Sequence, residues 1–248
     1  MSLTLRQRAS WTAHLFKAVT QQHHRDLRPL FVQLLPVDGL AIDVGAHAGQ
    51  FSKLFASIAT RGAILAFEPS AYARSIMEPA LRLNRVGNVS LRPLGLSDFP
   101  GRLTLHTPLK RSSALGYGTA HLGASEAVEF DQSVELTTLD AFAEAEGLTR
   151  VDLIKADIEG WEMRALKGGE ALLRRFRPAL YLEIDAACLA RAGDTPEALF
   201  DWLGSLGYVA FRAPALETTP VWDGPGDYLF TAACSPQPRP SDAANHLP

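Results

Sequence analysis

Cysteine is nearly absent: Cys188 and Cys234 are the only two in 248 residues. Neither stands at a metal-ligand spacing, and one pair builds no disulfide framework, so both are expected as ordinary reduced thiols. No apolar run reaches the length of a membrane span, and the first residues lack the apolar core of a secretory signal. A cytoplasmic protein is therefore expected. Charge of one sign is missing too, because 24 Lys and Arg against 27 Asp and Glu leave a net charge of −3. That gives no basic field for a nucleic-acid partner. The phosphate-binding signatures are also lacking: the spacing Gly45-x-x-x-Gly49 is not G-x-G-x-x-G, and no P-loop lysine follows it. With no evident tyrosine–lysine pair either, a nicotinamide oxidoreductase is disfavoured.

What is present is 47% apolar residues, ample for the core of one α/β domain with appendages at this length. Leu40, Ala41, Ile42 and Val44 form a short apolar run of the kind that fills a parallel strand covered on both faces, with Asp43 near its carboxyl end. The turn Gly45-Ala46-His47-Ala48-Gly49 follows. Then Phe51, Leu54, Phe55 and Ile58 fall at i, i+3, i+4 and i+7, so the period changes from strand to helix. Ligands of open α/β sheets sit at such turns, and this one lacks large side chains, which lets backbone approach a ligand closely. A second buried strand, Ala63–Phe67, ends in Glu68-Pro69. A carboxylate there is placed to accept from both hydroxyls of a ribose, and Pro69 keeps Glu68 extended.

Asp43-Val44-Gly45-Ala46-His47-Ala48-Gly49 paired with Phe67-Glu68-Pro69 resembles the class I S-adenosylmethionine-dependent methyltransferases. Leu139-Asp140, followed by Lys155-Ala156-Asp157-Ile158-Glu159-Gly160-Trp161-Glu162, narrows the resemblance to the FkbM family over about residues 40–185. It implies a Rossmann-like, mostly parallel sheet with a C-terminal antiparallel strand and helices on both faces. The implied cofactor is S-adenosyl-L-methionine, gripped by Asp43, Gly45, Ala46, His47, Gly49, Phe51, Glu68, Pro69 and Asp157. Gly95, Leu96 and Ser97, at the end of a third strand read over Val89–Leu96, are the candidates for the adenine.

The rest of the chain fits around this centre. Residues 1–36 read as a helical extension, 37–234 as the methyltransferase domain, and 235–248, with Pro236, Pro238 and Pro240, as a disordered tail. The basic, aromatic-bearing start (Arg6, Arg8, Trp11, Lys17, His23, His24, Arg25) is read as helix packed on the domain or on a partner subunit rather than on a membrane. His23-His24 has no companion metal ligands. Pro79 is expected to kink or restart the helix over Ala71–Asn84. His106 lies in an alternating strand and reads as a surface or packing histidine rather than a base. The aperiodic loop Lys110–Ala127 reads as a substrate-facing lid, while Thr195-Pro196 marks a helix start.

Asp43, Glu68, Asp157 and Glu183 all fall at the carboxyl ends of expected parallel strands, which gathers them along one sheet edge. The resemblance implies that Asp157, Glu159 and Glu183 face the acceptor, one of them relieving it of a proton without an obligatory metal. A magnesium ion held by these acids with Asp185 is the alternative. The activity implied is O-methylation of a saccharide or natural-product hydroxyl. Small-molecule N-methylation and a non-catalytic, cofactor-binding partner protein stand as alternatives.

Overall fold

The computed structural model describes residues 5–108, 121–122 and 129–233, and in it the apolar run at Leu40–Val44 lies near the middle of an eight-stranded sheet. The N-terminal segment forms α1 (Leu5–Thr20), a single 3-10 turn (Arg25–Leu27) and α2 (Arg28–Leu34). Next come β1 (Leu40–Val44), α3 (Gln50–Ile58), β2 (Ala63–Phe67), α4 (Ala71–Leu83), β3 (Val89–Arg92) and β4 (Gly95–Leu96). They are followed by β5 (Gly101–Pro108), β6 (His121–Leu122), β7 (Glu129–Thr137), α5 (Leu139–Ala145), β8 (Leu153–Ala156), α6 (Glu162–Lys167) and α7 (Glu170–Phe176). The chain closes with β9 (Ala179–Ile184), α8 (Ala186–Ala192), α9 (Pro196–Ser205), β10 (Tyr208–Arg212), β11 (Glu217–Thr218) and β12 (Gly226–Ala232).

The main sheet runs β11-β10-β12-β9-β8-β1-β2-β3. From β9 to β3 every neighbour is parallel, and β12 is inserted antiparallel between β9 and β10. The four acids singled out by sequence therefore do share one edge: Asp43 and Glu183 lie next to last in their strands, and Glu68 and Asp157 follow theirs directly. Apolar clusters cover both faces. One centres on Ile42, Ile154, Leu180, Leu199 and Tyr228, the other on Phe31, Phe55, Ile64 and Leu229. The N-terminal segment packs on the domain: Trp11, Leu15 and Ala18 of α1 meet Tyr72, Ile76 and Ala80 of α4.

Two expectations need correction. Val89–Leu96 is not one strand, because Pro93, without an N–H to give the ladder, separates β3 from β4. β4 joins a second, four-stranded sheet of order β4-β7-β5-β6. Nor does Pro79 interrupt its helix, since α4 runs unbroken through it, held by Tyr72, Ile76, Met77, Ala80 and Leu81 buried on both sides. The lid reading of Lys110–Ala127 lies outside the described residues, apart from His121–Leu122, and so does the tail reading of 235–248. His106 pairs across the β5–β7 ladder with Asp131, Nδ1 to Oδ1 at 2.8 Å, a structural use of that ring.

Several helix starts follow the side-chain capping rule. Thr138 and Thr195 accept from the main-chain N–H groups of Ala141 and Ala198. Asp140 of the Leu-Asp pair does the same for a neighbour: its carboxylate accepts from Leu172 N at 2.7 Å and Ala171 N at 3.0 Å, at the start of α7. Asp140→Ala should therefore cost about 1–2 kcal/mol of stability. In a chain of this size that corresponds to a melting temperature lowered by roughly 2–8 °C, measurable by calorimetry; an unchanged transition would remove Asp140 as a cap.

Candidate active site

The turn after β1 is built by close backbone approach. Gly45 N and Ala46 N both donate to Phe67 O, at 3.0 and 3.1 Å, which ties the turn to the end of β2. Gly45 has φ +73°, and a Cβ there would lie 2.1 Å from Asp157 O. The glycine is required because the ends of β1 and β8 touch at this point, so its first role is internal packing. Gly49, at φ +81°, begins α3. His47 is also left-handed, at φ 49°, and its N–H donates to Glu68 Oε2 at 2.8 Å. Ser70 N donates to Glu68 Oε1 at 2.7 Å. The buried Glu68 carboxylate thus holds the turn and the start of α4 together, while each oxygen keeps a second lone pair.

Lys155 is the buried cation of the site. Its Nζ lies 3.6 Å from Asp43 Oδ1 and 3.4 Å from Asp157 Oδ2, and it donates to Gly45 O at 3.0 Å. It also stands over the Phe51 ring, 5.2 Å from its centroid. Burial works to lower the Lys155 pKa, but Asp157, then Asp43, outweigh it and raise it. Asp43 is completed by Ser52, whose Oγ donates to Oδ2 at 2.5 Å. For Asp157, burial pushes upward, yet Lys155 and His47 bring the carboxyl down to about 2.

Glu183 behaves oppositely. It stands at the solvent edge of β9, where partial burial of its carboxyl and then the ionised Asp157 beside it raise it to about 8. Directly opposite in the β9–β12 register is Asp227, also raised, mainly by burial. Glu159, at φ 56°, is held by Arg191, whose guanidinium donates to Glu159 O at 2.9 Å and lies 3.6 Å from Oε2. Glu162 is buried and accepts from Ile158 N and Gly160 N; burial nevertheless lifts it to about 7. Asp185 is used as the cap of α8, accepting from Cys188 N at 2.9 Å. A narrow cleft joins Asp157, Glu159, Glu162, Glu183, Asp185 and Cys188.

On the other side of Asp157 is a cavity of about 380 Å³ lined by Gly45–Ala48, Gln50, Phe51, Lys155 and Asp157, with His14, Lys17 and His24 from the N-terminal segment. Asp43 is fully buried, bonded to Ser52 and beside Lys155, while Gly45, Ala46, His47, Phe51 and Asp157, of the residues expected to grip the cofactor, are brought together in the cavity lining. Leu96 and Ser97 are not: both are buried, and Ser97 Oγ accepts from Trp161 Nε1 at 3.2 Å, away from this cavity. Pro69 borders the site through its carbonyl, which accepts from Gln132 Nε2 and Arg74.

The sequence reading missed Asp227 and underrated Lys155. A lysine inside the buried run Leu153–Ala156 calls for an acidic partner by itself. Asp227 had a subtler signal: β12 is antiparallel, so its beginning, not its end, reaches the edge where the parallel strands finish.

Residues 43–210 match the family model described as the methyltransferase FkbM domain. The chain is 31% identical over 220 residues to the AMB antimetabolite synthetase AmbE of Pseudomonas aeruginosa, covering 74% of this chain and 10% of that protein. It is 27% identical over 187 residues to the 2-O-methyltransferase NoeI of Sinorhizobium fredii, covering 70% of this chain and 74% of that one. A crystal structure of a methyltransferase FkbM from Methylobacillus flagellatus KT shares the fold, with a TM-score of 0.50 at 15% identity over 91% of this chain and 59% of that one. The chain thus spans only a small part of AmbE, about a tenth of its length.

Two measurements check the site. Gly45→Ala forces a Cβ against Asp157 O, so it should lower both the melting temperature and the cofactor affinity; calorimetry reads both, and wild-type values would disprove the close contact. The second concerns pH. The folded pKa of Glu183 is raised above its ordinary value, so its contribution to stability is complete below that ordinary value and is lost as pH rises through the folded one. Asp157, Asp227 and Glu159 face it. The melting temperature should fall between pH 5 and about 8, and Glu183→Gln should flatten that slope; an equal slope in the variant would refute the raised pKa.

Proposed function

The chain belongs to the FkbM methyltransferase family and is an S-adenosylmethionine-dependent methyltransferase, and we propose that it methylates a hydroxyl oxygen of a saccharide or natural-product acceptor. The observation that carries this reading is the pair at the ends of β8 and β9, where Asp157, 3.4 Å from Lys155, is held low, while burial and Asp157 raise the Glu183 carboxyl. Such a pair accepts from one hydroxyl and donates to another, which suits a polyhydroxylated molecule. The resemblance to a protein named as a 2-O-methyltransferase supports oxygen as the nucleophile, and that to an antimetabolite synthetase supports a secondary-metabolite acceptor.

The residues present fit the cofactor. Glu68, pinned by two main-chain N–H groups, offers its remaining lone pairs to ribose hydroxyls, and the cavity beside the Gly45 turn has room for the amino-acid end. When bound, the cofactor supplies an electrophilic methyl group. The protein then has to align the acceptor, exclude water and take up one proton. In our reading Asp157, Glu183 or Glu159 receives that proton, and Lys155 fixes where Asp157 can stand. No obligatory metal is assigned, because Asp157 and Glu159 already have Lys155 and Arg191 as cationic partners.

The test is a panel of hydroxyl- and amine-bearing acceptors with methyl-labelled cofactor, read by mass spectrometry. Label on oxygen is expected, with kcat lowered about 100-fold or more in Asp157→Asn and activity indifferent to chelator. Label on nitrogen, or turnover that is lost on chelation and restored by magnesium, would overturn the corresponding part of the proposal.

A further inference from the structure

The family match begins at residue 43, yet the cavity beside the Gly45 turn is closed by three residues that precede it: His14, Lys17 and His24. Their placement is built rather than incidental. His14 and Lys17 are three apart on α1 and so share one face, next to the stripe of Trp11, Leu15 and Ala18 that packs on α4. Trp11 Nε1 donates to Ser75 Oγ at 3.0 Å, and His14 Nδ1 lies 3.0 Å from the Tyr72 hydroxyl. At the far end of α1 the buried Lys53 ammonium, rising from α3, donates to Ala18 O at 2.5 Å and Gln21 O at 3.3 Å. The following loop is fastened to the start of α3, where Gln22 Nε2 donates to Gln50 O at 2.9 Å and His23 N to Gln50 Oε1 at 3.2 Å. His24 then stacks on Phe51 with ring centroids 4.3 Å apart.

The charges in this cavity are uneven. Lys155 is matched by Asp43 and Asp157, whereas Lys17 has no acidic partner among the described residues. Among the lining side chains Asp157 thus supplies a carboxylate and Lys17 an ammonium. Those charges complement a zwitterion carrying one ammonium and one carboxylate group, and the N-terminus of α3, which borders the cavity at Gln50, adds a partial positive charge.

We propose that the N-terminal helix is part of the cofactor site, with Lys17 binding the carboxylate of the cofactor's amino-acid moiety and the tethered α1 closing the cavity over it. This rests on the cofactor reading above. It makes Lys17 a binding residue that a domain cut at the family boundary would lack.

The experiment compares two probes by calorimetry: S-adenosylhomocysteine, which carries the amino-acid moiety, and 5′-methylthioadenosine, which does not. Lys17→Met should weaken the first about tenfold and leave the second unchanged, as expected for loss of one charge-assisted contact, and Lys17→Arg should restore most of the loss. On the wild-type protein, added salt should weaken S-adenosylhomocysteine binding more than methylthioadenosine binding. S-adenosylhomocysteine binding unchanged in Lys17→Met, or equal losses for both probes, would overturn the assignment. Wild-type protein that binds neither probe would instead overturn the cofactor reading.

Discussion

A lysine ammonium sealed inside a parallel sheet is the constraint on which the rest of the site depends. Lys155 has the carbonyls of Val44 and Gly45, the carboxylates of Asp43 and Asp157 and the face of Phe51 around it. The five partners come from four pieces of machinery: β1, the turn after it, the end of the lysine's own strand and the helix after the turn. A buried charge without its partners is costly, on the order of 3–5 kcal/mol when one side of a buried pair is removed. The register of β1 against β8, the path of the turn and the stance of Asp157 are therefore settled together.

The same charge divides the acids of the sheet edge into two kinds. Asp157, in contact with Lys155, stays ionised, while Glu183 and Asp227, one strand and two strands further along, have no cation so close and drift toward the neutral form. Carboxyl groups of similar intrinsic acidity thus acquire different proton affinities: burial raises Glu183 and Asp227, whereas at Asp157 the adjacent ammonium outweighs it. An edge that would otherwise repel itself becomes a graded surface able both to accept and to donate hydrogen bonds.

Much of this was legible in the chain because the strong signals are local. The apolar run at Leu40–Val44, the change of period after Gly49, and the acids ending each strand locate the sheet and its functional edge without reference to anything distant in sequence. What was hidden depends on partners far apart in the chain. Gly45 looked like a place for a ligand and is first a place for the Asp157 carbonyl. Leu96 and Ser97 seemed to end a central strand and instead begin the second sheet, because Pro93 broke a ladder whose alternative partner, β7, lies about forty residues on. His14 and Lys17 carried no motif at all. Their meaning appears only when α1 is laid against α4, a docking made by Trp11, Leu15 and Ala18 against Tyr72, Ile76 and Ala80.

Lys53 fastens the leading segment to the domain. Its ammonium is buried at 7% exposure, and its oxygen partners, Ala18 O and Gln21 O, both come from the segment ahead of the family match. The bonds that seat α1 and the loop after it are thus also the bonds that satisfy this ammonium, so the Lys53 side chain and the leading segment take their places together.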